Sequence, residues 1–144
     1  MSGCVFCRVV SGQAEVSVVY EDERTVTFMD IQPAVRGHML VVPRRHAASL
    51  ADLDAEDGAQ IFRVGQLAAA ASRASDHRCE GVNFFLADGE AAGQDVFHAH
   101  LHVIPRHEGD EFGSWLSGNY SVMPRAELDE TARALRQAWP RGRQ

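Results

Sequence analysis

Val96-Phe97-His98-Ala99-His100-Leu101-His102-Val103-Ile104 is the stretch from which the fold can be read. Along a β-strand, side chains alternate between faces, so His98, His100 and His102 share one face while Phe97, Ala99, Leu101 and Val103 share the other. The second face is apolar and suits a core. The first presents imidazoles at steps of about 7 Å, twice the rise of a strand residue. A lone histidine in a strand is ordinarily structural or superficial. Three at strict two-residue spacing over an apolar back face are hard to reach by chance. The stretch predicts a strand over 98–104, ended by Pro105, with one face on a core and the other on a site.

Working outward, Val16-Ser17-Val18-Val19-Tyr20 and Thr25-Val26-Thr27-Phe28-Met29 are strand-like runs separated by Glu21-Asp22-Glu23-Arg24, which reads as a hairpin. His38-Met39-Leu40-Val41-Val42 starts after Gly37 and stops at Pro43, and Val82-Asn83-Phe84-Phe85-Leu86 makes a further strand. Ile61, Val64, Ala68 and Ala71 recur at three- and four-residue steps, predicting a helix from about 56 to 74 with Asp54 as its N-cap. Leu128, Ala132, Leu135 and Trp139 share a face of a last helix from about 125 to 139. Short connections favour antiparallel pairing, so the expected class is α+β: an antiparallel sheet of about five strands, one long helix and a C-terminal helix. Helical crossovers between every strand pair are missing, which counts against a doubly wound parallel sheet.

The 144 residues suffice for one domain with its own core, and no linker or repeat divides them, so 1–144 is expected to be a single unit. Its motif-bearing part runs to about 110, with 111–144 as a C-terminal extension and helix. A formal net charge of −6 argues against binding nucleic acid backbones, yet it leaves room for a small phosphorylated ligand held by local donors. No apolar run is long enough to span a membrane, and Met1-Ser2-Gly3-Cys4-Val5-Phe6-Cys7 has no signal-peptide pattern, so a cytoplasmic location is expected. Of the three cysteines, Cys79 stands alone. Cys4 and Cys7 read as a metal pair, a redox pair or two ordinary thiols.

Two chemistries fit the histidine face. Alternate imidazoles can bind a metal. Alternatively one imidazole, neutral near physiological pH, attacks phosphorus while its neighbours manage protons and charge.

The segment His98–Ile104 resembles the signature of the histidine-triad (HIT) family. Gly37-His38-Met39-Leu40-Val41-Val42-Pro43-Arg44-Arg45-His46 is similar to that family's G-H-x-L-V-x-P-x-x-H segment, and Phe28-Met29-Asp30-Ile31-Gln32-Pro33 to its F-x-D-I-x-P segment. Asp88-Gly89-Glu90-Ala91-Ala92-Gly93-Gln94 resembles the phosphate loop of its dinucleoside-polyphosphate hydrolase branch. The resemblance implies a HIT-like fold, a homodimer whose sheets join, and a nucleotide substrate, purine nucleotides included. It implies attack by His100 on the α-phosphorus of a dinucleoside polyphosphate or nucleoside phosphoramidate, through a nucleotidyl-histidine intermediate that water or another acceptor releases. His102 then meets the α-phosphate oxygens, His98 and His38 complete the catalytic histidines, and Asp30 accepts from the ribose hydroxyls. Ile31, Phe6 and Leu40 flank the base, while Gln94, Asp95 and Val96 meet the phosphates. In bacterial-type relatives a structural zinc is held by residues matching Cys4, Cys7, His46 and His98. No organic cofactor is implied.

Two positions depart from the family pattern. Ala87 stands where much of the family has Asn or Gln, and Asp95 where Ser or Thr commonly donates to phosphate. They support an alternative reading, a nucleotide-binding regulatory protein with vestigial hydrolysis. Arg44 and Arg106 are candidates for steering phosphates. Gly113-Ser114-Trp115-Leu116 is expected as a loop near a partner's site.

Overall fold

Five antiparallel strands form one sheet in the order β1-β2-β3-β5-β4 in this computed structural model, which describes residues 3–141. The outermost limits of the expected 1–144 unit lie outside the described residues. The strands are β1 (Val18–Glu21), β2 (Thr25–Met29), β3 (Met39–Pro43), β4 (Gly81–Phe85) and β5 (Leu101–Arg106). The helices are α1 (Val5–Val10), α2 (Ala55–Ala74), α3 (Phe112–Leu116) and α4 (Arg125–Ala138). The α+β class, the strand number and both long helices match the sequence reading. Asp54 caps α2 by accepting from the backbone N–H of Glu56 at 2.8 Å.

The histidine strand differs from its expected bounds. It begins at Leu101 rather than His98, and it runs through Pro105 to Arg106. Pro105 is tolerated because β3 pairs with β5 only as far as Val103, so the proline has β4 alone beside it. Phe97, expected on the core face, is 48% exposed, because the chain has not yet entered the sheet there.

Residues directly opposite one another in an antiparallel sheet share a face. Met29, Met39, Val103 and Phe84 form one such row across β2, β3, β5 and β4. Against this face pack Ile61, Val64, Ala68 and Ala71 of α2 and Leu128, Ala132 and Leu135 of α4. Each large apolar side chain so buried contributes roughly 1.5–3 kcal/mol. The approach is close enough that a Cβ on Gly65 would lie 2.9 Å from Phe84 Cζ and 3.0 Å from Leu101 Cδ2, so any larger residue there would force those side chains to shift.

On the opposite face the matching row is Phe28, Leu40, His102 and Phe85. α1 covers its β2–β3 end with Phe6 and Val9. At six residues α1 is too short for helical periodicity to announce it, and nothing in the sequence reading placed an element before Val16. The remainder of the row floors a cavity of about 490 Å³. No helix of the described residues is long and apolar enough to cross a membrane.

Candidate functional site

His100 and His102 both line the cavity. His100 Nδ1 lies 2.8 Å from the carbonyl of His98, to which it donates, so its Nε2 carries the lone pair. Phe6 stands edge-on to the His100 ring at 5.1 Å. Burial lowers the His100 pKa, and the His98 carbonyl and the nearby Asp95 charge offset part of that effect. A neutral imidazole with an uncommitted nitrogen is the outcome at neutral pH.

A second chain of hydrogen bonds fixes the other tautomers. The backbone N–H of Ala34 donates to His38 Nδ1 at 2.9 Å, so neutral His38 carries its proton on Nε2. That nitrogen donates to His102 Nδ1 at 2.8 Å, leaving the His102 proton on Nε2. A backbone amide thus makes His102 a donor, beside a His100 that is an acceptor. Burial pushes His102 down to about 3, with the positive end of a protonated His100 as a lesser cause. The same burial holds His38 well below the usual histidine range.

Asp30 Oδ2 lies 3.5 Å from His38 Nε2 and 3.9 Å from His102 Nδ1. Its other oxygen accepts from the backbone N–H of Gln32 at 2.8 Å. Burial raises this carboxyl to about 6, and the charge of Asp95 adds to the rise. Asp30, His38 and His102 are close enough to hold a metal. Both nitrogens of His38 and Nδ1 of His102 are already engaged, however, so the set suits a proton network better. Nor do the three strand histidines converge on one point, because His98 belongs to a separate cluster.

That cluster joins Cys4, Cys7, His46 and His98. Cys4 Sγ is 3.4 Å from His98 Nδ1, and Cys7 Sγ is 3.3 Å from His46 Nδ1 and 3.6 Å from His98 Nδ1. Tetrahedral zinc with ordinary Zn–S and Zn–N bonds separates sulfur from nitrogen by about 3.5 Å. His98 Nε2 donates to the Pro43 carbonyl at 2.8 Å, which leaves Nδ1 free to ligate and gives it the outer partner that metal-bound histidines have. The donor set, the spacing and the tautomer all fit zinc. Cys4 also caps α1, its sulfur accepting from the Cys7 N–H at 3.4 Å.

The loop before the histidines turns at Gly89 and Gly93, both at positive φ. Gln94 was expected to meet phosphate, but its amide is engaged elsewhere. It accepts from Gly89 N–H at 2.8 Å and donates to the carbonyls of Ala48 and Val96 at 2.7 and 3.0 Å, so it shapes the loop. Gly93, Asp95 and Val96 line the cavity, as do Asp30, Ile31, Phe6, Leu40 and Ala87. The two arginines proposed for steering are likewise committed. Arg44 binds Glu21 and the Asp22 carbonyl, and Arg106 binds Asp110 and Asn83.

Trp115 was missed as a site residue. The segment expected near a partner's site forms α3 over the cavity of its own chain, with Trp115 edge-on to His38 at 5.2 Å and to His102 at 5.5 Å. A large aromatic among glycine, serine and charged residues was the available signal.

The HIT domain family profile matches residues 11–109. An uncharacterized HIT-like protein of Mycobacterium tuberculosis is 40% identical over 137 residues, covering 94% of this chain and 92% of the relative. The crystal structure of a zinc-bound histidine triad family protein from Mycobacterium smegmatis superposes with a TM-score of 0.83 at 42% identity, covering 95% of this chain and 93% of that one. Adenylylsulfatase HINT3 of Arabidopsis thaliana is 32% identical over 108 residues, 74% of this chain and 54% of the relative.

Proposed function

This chain belongs to the HIT domain family, and on that footing we propose that it is a nucleotide hydrolase or nucleotidyl transferase working through His100. The observation that carries the reading is the opposed pair of tautomers. His100 presents a lone pair to the cavity, and His102 beside it presents a proton.

With a nucleotide's base on the Phe6, Ile31 and Leu40 side and its ribose on Asp30, the α-phosphorus comes to His100. Nε2 forms the N–P bond as the bond to the leaving group breaks, while the His102 Nε2–H stabilises charge on a phosphoryl oxygen. The proton on Nδ1 stays against the His98 carbonyl, so the intermediate is a nucleotidyl-imidazolium. Its positive charge is of the sign that Asp95 favours, which gives that departure from the family pattern a role compatible with catalysis. Water then attacks phosphorus, returns a proton to solvent and frees His100. Candidate substrates are dinucleoside polyphosphates and nucleoside phosphoramidates.

Zinc held by Cys4, Cys7, His46 and His98 would fill all four positions of a closed site, so its contribution is structural. Thiolate ligands need a reducing compartment, and the cytoplasm is the location we assign. A homodimer joined at β4 is favoured by that strand's open edge, where Phe62 stands 55% exposed against Phe84.

Turnover of adenosine phosphoramidate and diadenosine tetraphosphate by wild type and His100→Ala, with intact-mass detection of an adduct, tests the mechanism. A nucleotidyl adduct on wild type, with activity down at least about 10³-fold in the variant, is expected. Tight nucleotide binding with no turnover of either compound would instead establish the regulatory reading.

A further inference from the structure

The cluster of Cys4, Cys7, His46 and His98 joins three segments that all bear on His100. Phe6 lies between the two cysteines in sequence, and its ring stands edge-on to His98 at 5.9 Å and to His100 at 5.1 Å. His98 supplies the backbone carbonyl that holds the His100 Nδ1 proton at 2.8 Å. His46 opens a loop whose next two carbonyls, of Ala47 and Ala48, receive the Ala99 N–H and the Gln94 amide, each at 2.7 Å. The backbone that orients His100 is therefore anchored through the side chains of this cluster.

Two of the four anchors are sulfur, and their placement suits chemistry as well as ligation. Cys4 sits just before α1 in extended backbone (φ −91°, ψ 122°), which turns its sulfur back to accept from the Cys7 N–H at 3.4 Å. Both sulfurs face one nitrogen, His98 Nδ1, at 3.4 and 3.6 Å. The ligand atoms of the cluster all lie within 4.8 Å of one another, so turning two side chains is enough to join the sulfurs. Both cysteines are half-buried and Val5 beside them is 39% exposed, so a small solute reaches the pair. Metal ligation keeps both sulfurs as thiolates, the form that reacts with oxidants. Cys79, by contrast, donates its S–H to the Gly81 carbonyl at 3.3 Å.

We propose that Cys4 and Cys7 are a site of reversible oxidation, converted by hydrogen peroxide to an intrachain disulfide that releases His46 and His98 and so loosens His100. One thiolate attacks a peroxide oxygen, the O–O bond breaks, and that sulfur becomes a sulfenic acid while the departing hydroxide takes a proton from solvent. The second thiolate attacks the sulfenic sulfur, the S–O bond breaks, and the hydroxide that leaves gains a second proton to become water. The two sulfurs together lose two electrons and the peroxide gains them. Joined to each other the sulfurs ligate nothing. His46 and His98 are then half of a tetrahedral set, so zinc is not retained. In a reducing compartment such a disulfide is transient, as a sensor requires. The consequence for nucleotides rests on the His100 reading; the oxidation itself does not.

The test uses the full zinc-loaded chain carrying Cys79→Ser, treated with hydrogen peroxide and then freed of it. The readouts are intact and peptide mass, zinc released to a chromogenic chelator, hydrogen exchange over residues 97–101, and affinity for adenosine monophosphate by calorimetry. The oxidised chain is expected to be about 2 Da lighter, with Cys4 linked to Cys7, and to release about one zinc. Exchange at Ala99 should be faster by at least about tenfold and nucleotide affinity about tenfold weaker. Dithiothreitol with added zinc should reverse all of these changes. A serine at either cysteine would itself remove a ligand, so the comparison is reduced protein stripped of zinc by chelator, which should share the faster exchange. A chain that takes up no zinc, zinc retained through oxidation, or sulfinic acid in place of the disulfide would overturn the proposal. So would unchanged exchange or affinity in the disulfide form, or slow exchange in the stripped protein. Failure of the reduced, zinc-loaded chain to bind the nucleotide would overturn the nucleotide reading instead, while mass, zinc and exchange still decide the oxidation.

Discussion

In its proposed ribose-binding role Asp30 meets two opposed demands with one carboxyl group. Binding a ribose diol calls for the ionised form as acceptor, while burial beside two neutral imidazoles favours the protonated form and raises the group to about 6. An acid held at about 6 in the fold and at its ordinary value when unfolded keeps its proton longer in the fold. Between the ordinary 3.8 and about 6, the unfolded chain has released a proton that the folded chain retains. Stability therefore falls as pH rises through that window, and the penalty, at most about 3 kcal/mol, is complete above it. Asp30→Asn removes the penalty and can keep the acceptor for the Gln32 N–H. The variant should melt above wild type at pH 8, with the difference closing by pH 4. It should also lose the preference for a ribonucleotide over its 2′,3′-dideoxy analogue. A melting difference that is the same at both pH values would show that the raised value is not what destabilises the protein. The residue pattern announced much of this site, because alternate histidines on an apolar background are improbable. It could not announce that Gln94 spends its amide on backbone groups, or that a Trp 13 positions beyond His102 returns to cover it, since both depend on how loops close.

At the scale of elements, the long helices were legible because each carries several turns of apolar period. The α2 and α4 bounds lie within one residue of those expected. The histidine strand was displaced because alternation describes a strand but does not say where pairing begins. His98 uses its ring on the cysteine cluster and on Pro43, and the ladder with β3 starts only at Leu101. What α1 lacks in length a metal can supply. Zinc on Cys4, Cys7, His46 and His98 would tie α1 to the loop after β3 and to the segment entering β5, and α1 carries the Phe6 ring that stands against His100. Protein purified without chelator is expected to contain about one zinc per chain by elemental analysis. Cys7→Ser should lose it and melt about 10 °C lower, the consequence of removing a ligand present far above its dissociation constant. A content well under one per chain, in protein whose thiols are reduced, would reject the metal and leave α1 held by apolar packing, chiefly of Phe6 and Val9.

At the scale of the whole molecule, the described residues leave the β4 edge of the sheet unpaired. Among the described residues β4 pairs only with β5, and its sequence, Gly81-Val82-Asn83-Phe84-Phe85, has no charge and no proline. Proteins that keep such an edge open usually blunt it with lysine, proline or a bulge, because free N–H and C=O groups beside apolar side chains recruit another strand. Here the neighbouring surface adds Phe62, 55% exposed and packed edge-on to Phe84 at 5.5 Å. Pairing β4 with the β4 of a second copy would satisfy the edge and cover that phenylalanine, giving the self-complementary contact of a two-fold dimer. The protein should therefore sediment at micromolar concentration with twice the mass of its 15.8 kDa chain. Phe62→Glu combined with Val82→Lys should shift it to the single-chain mass. Because His100, His102, Asp30 and Trp115 all meet the cavity within one chain, the dissociated form should keep nucleotide affinity within a few-fold while melting earlier. Affinity lost in step with dissociation would mean that the partner completes the site. A wild-type protein of single-chain mass would mean that some other feature protects the β4 edge.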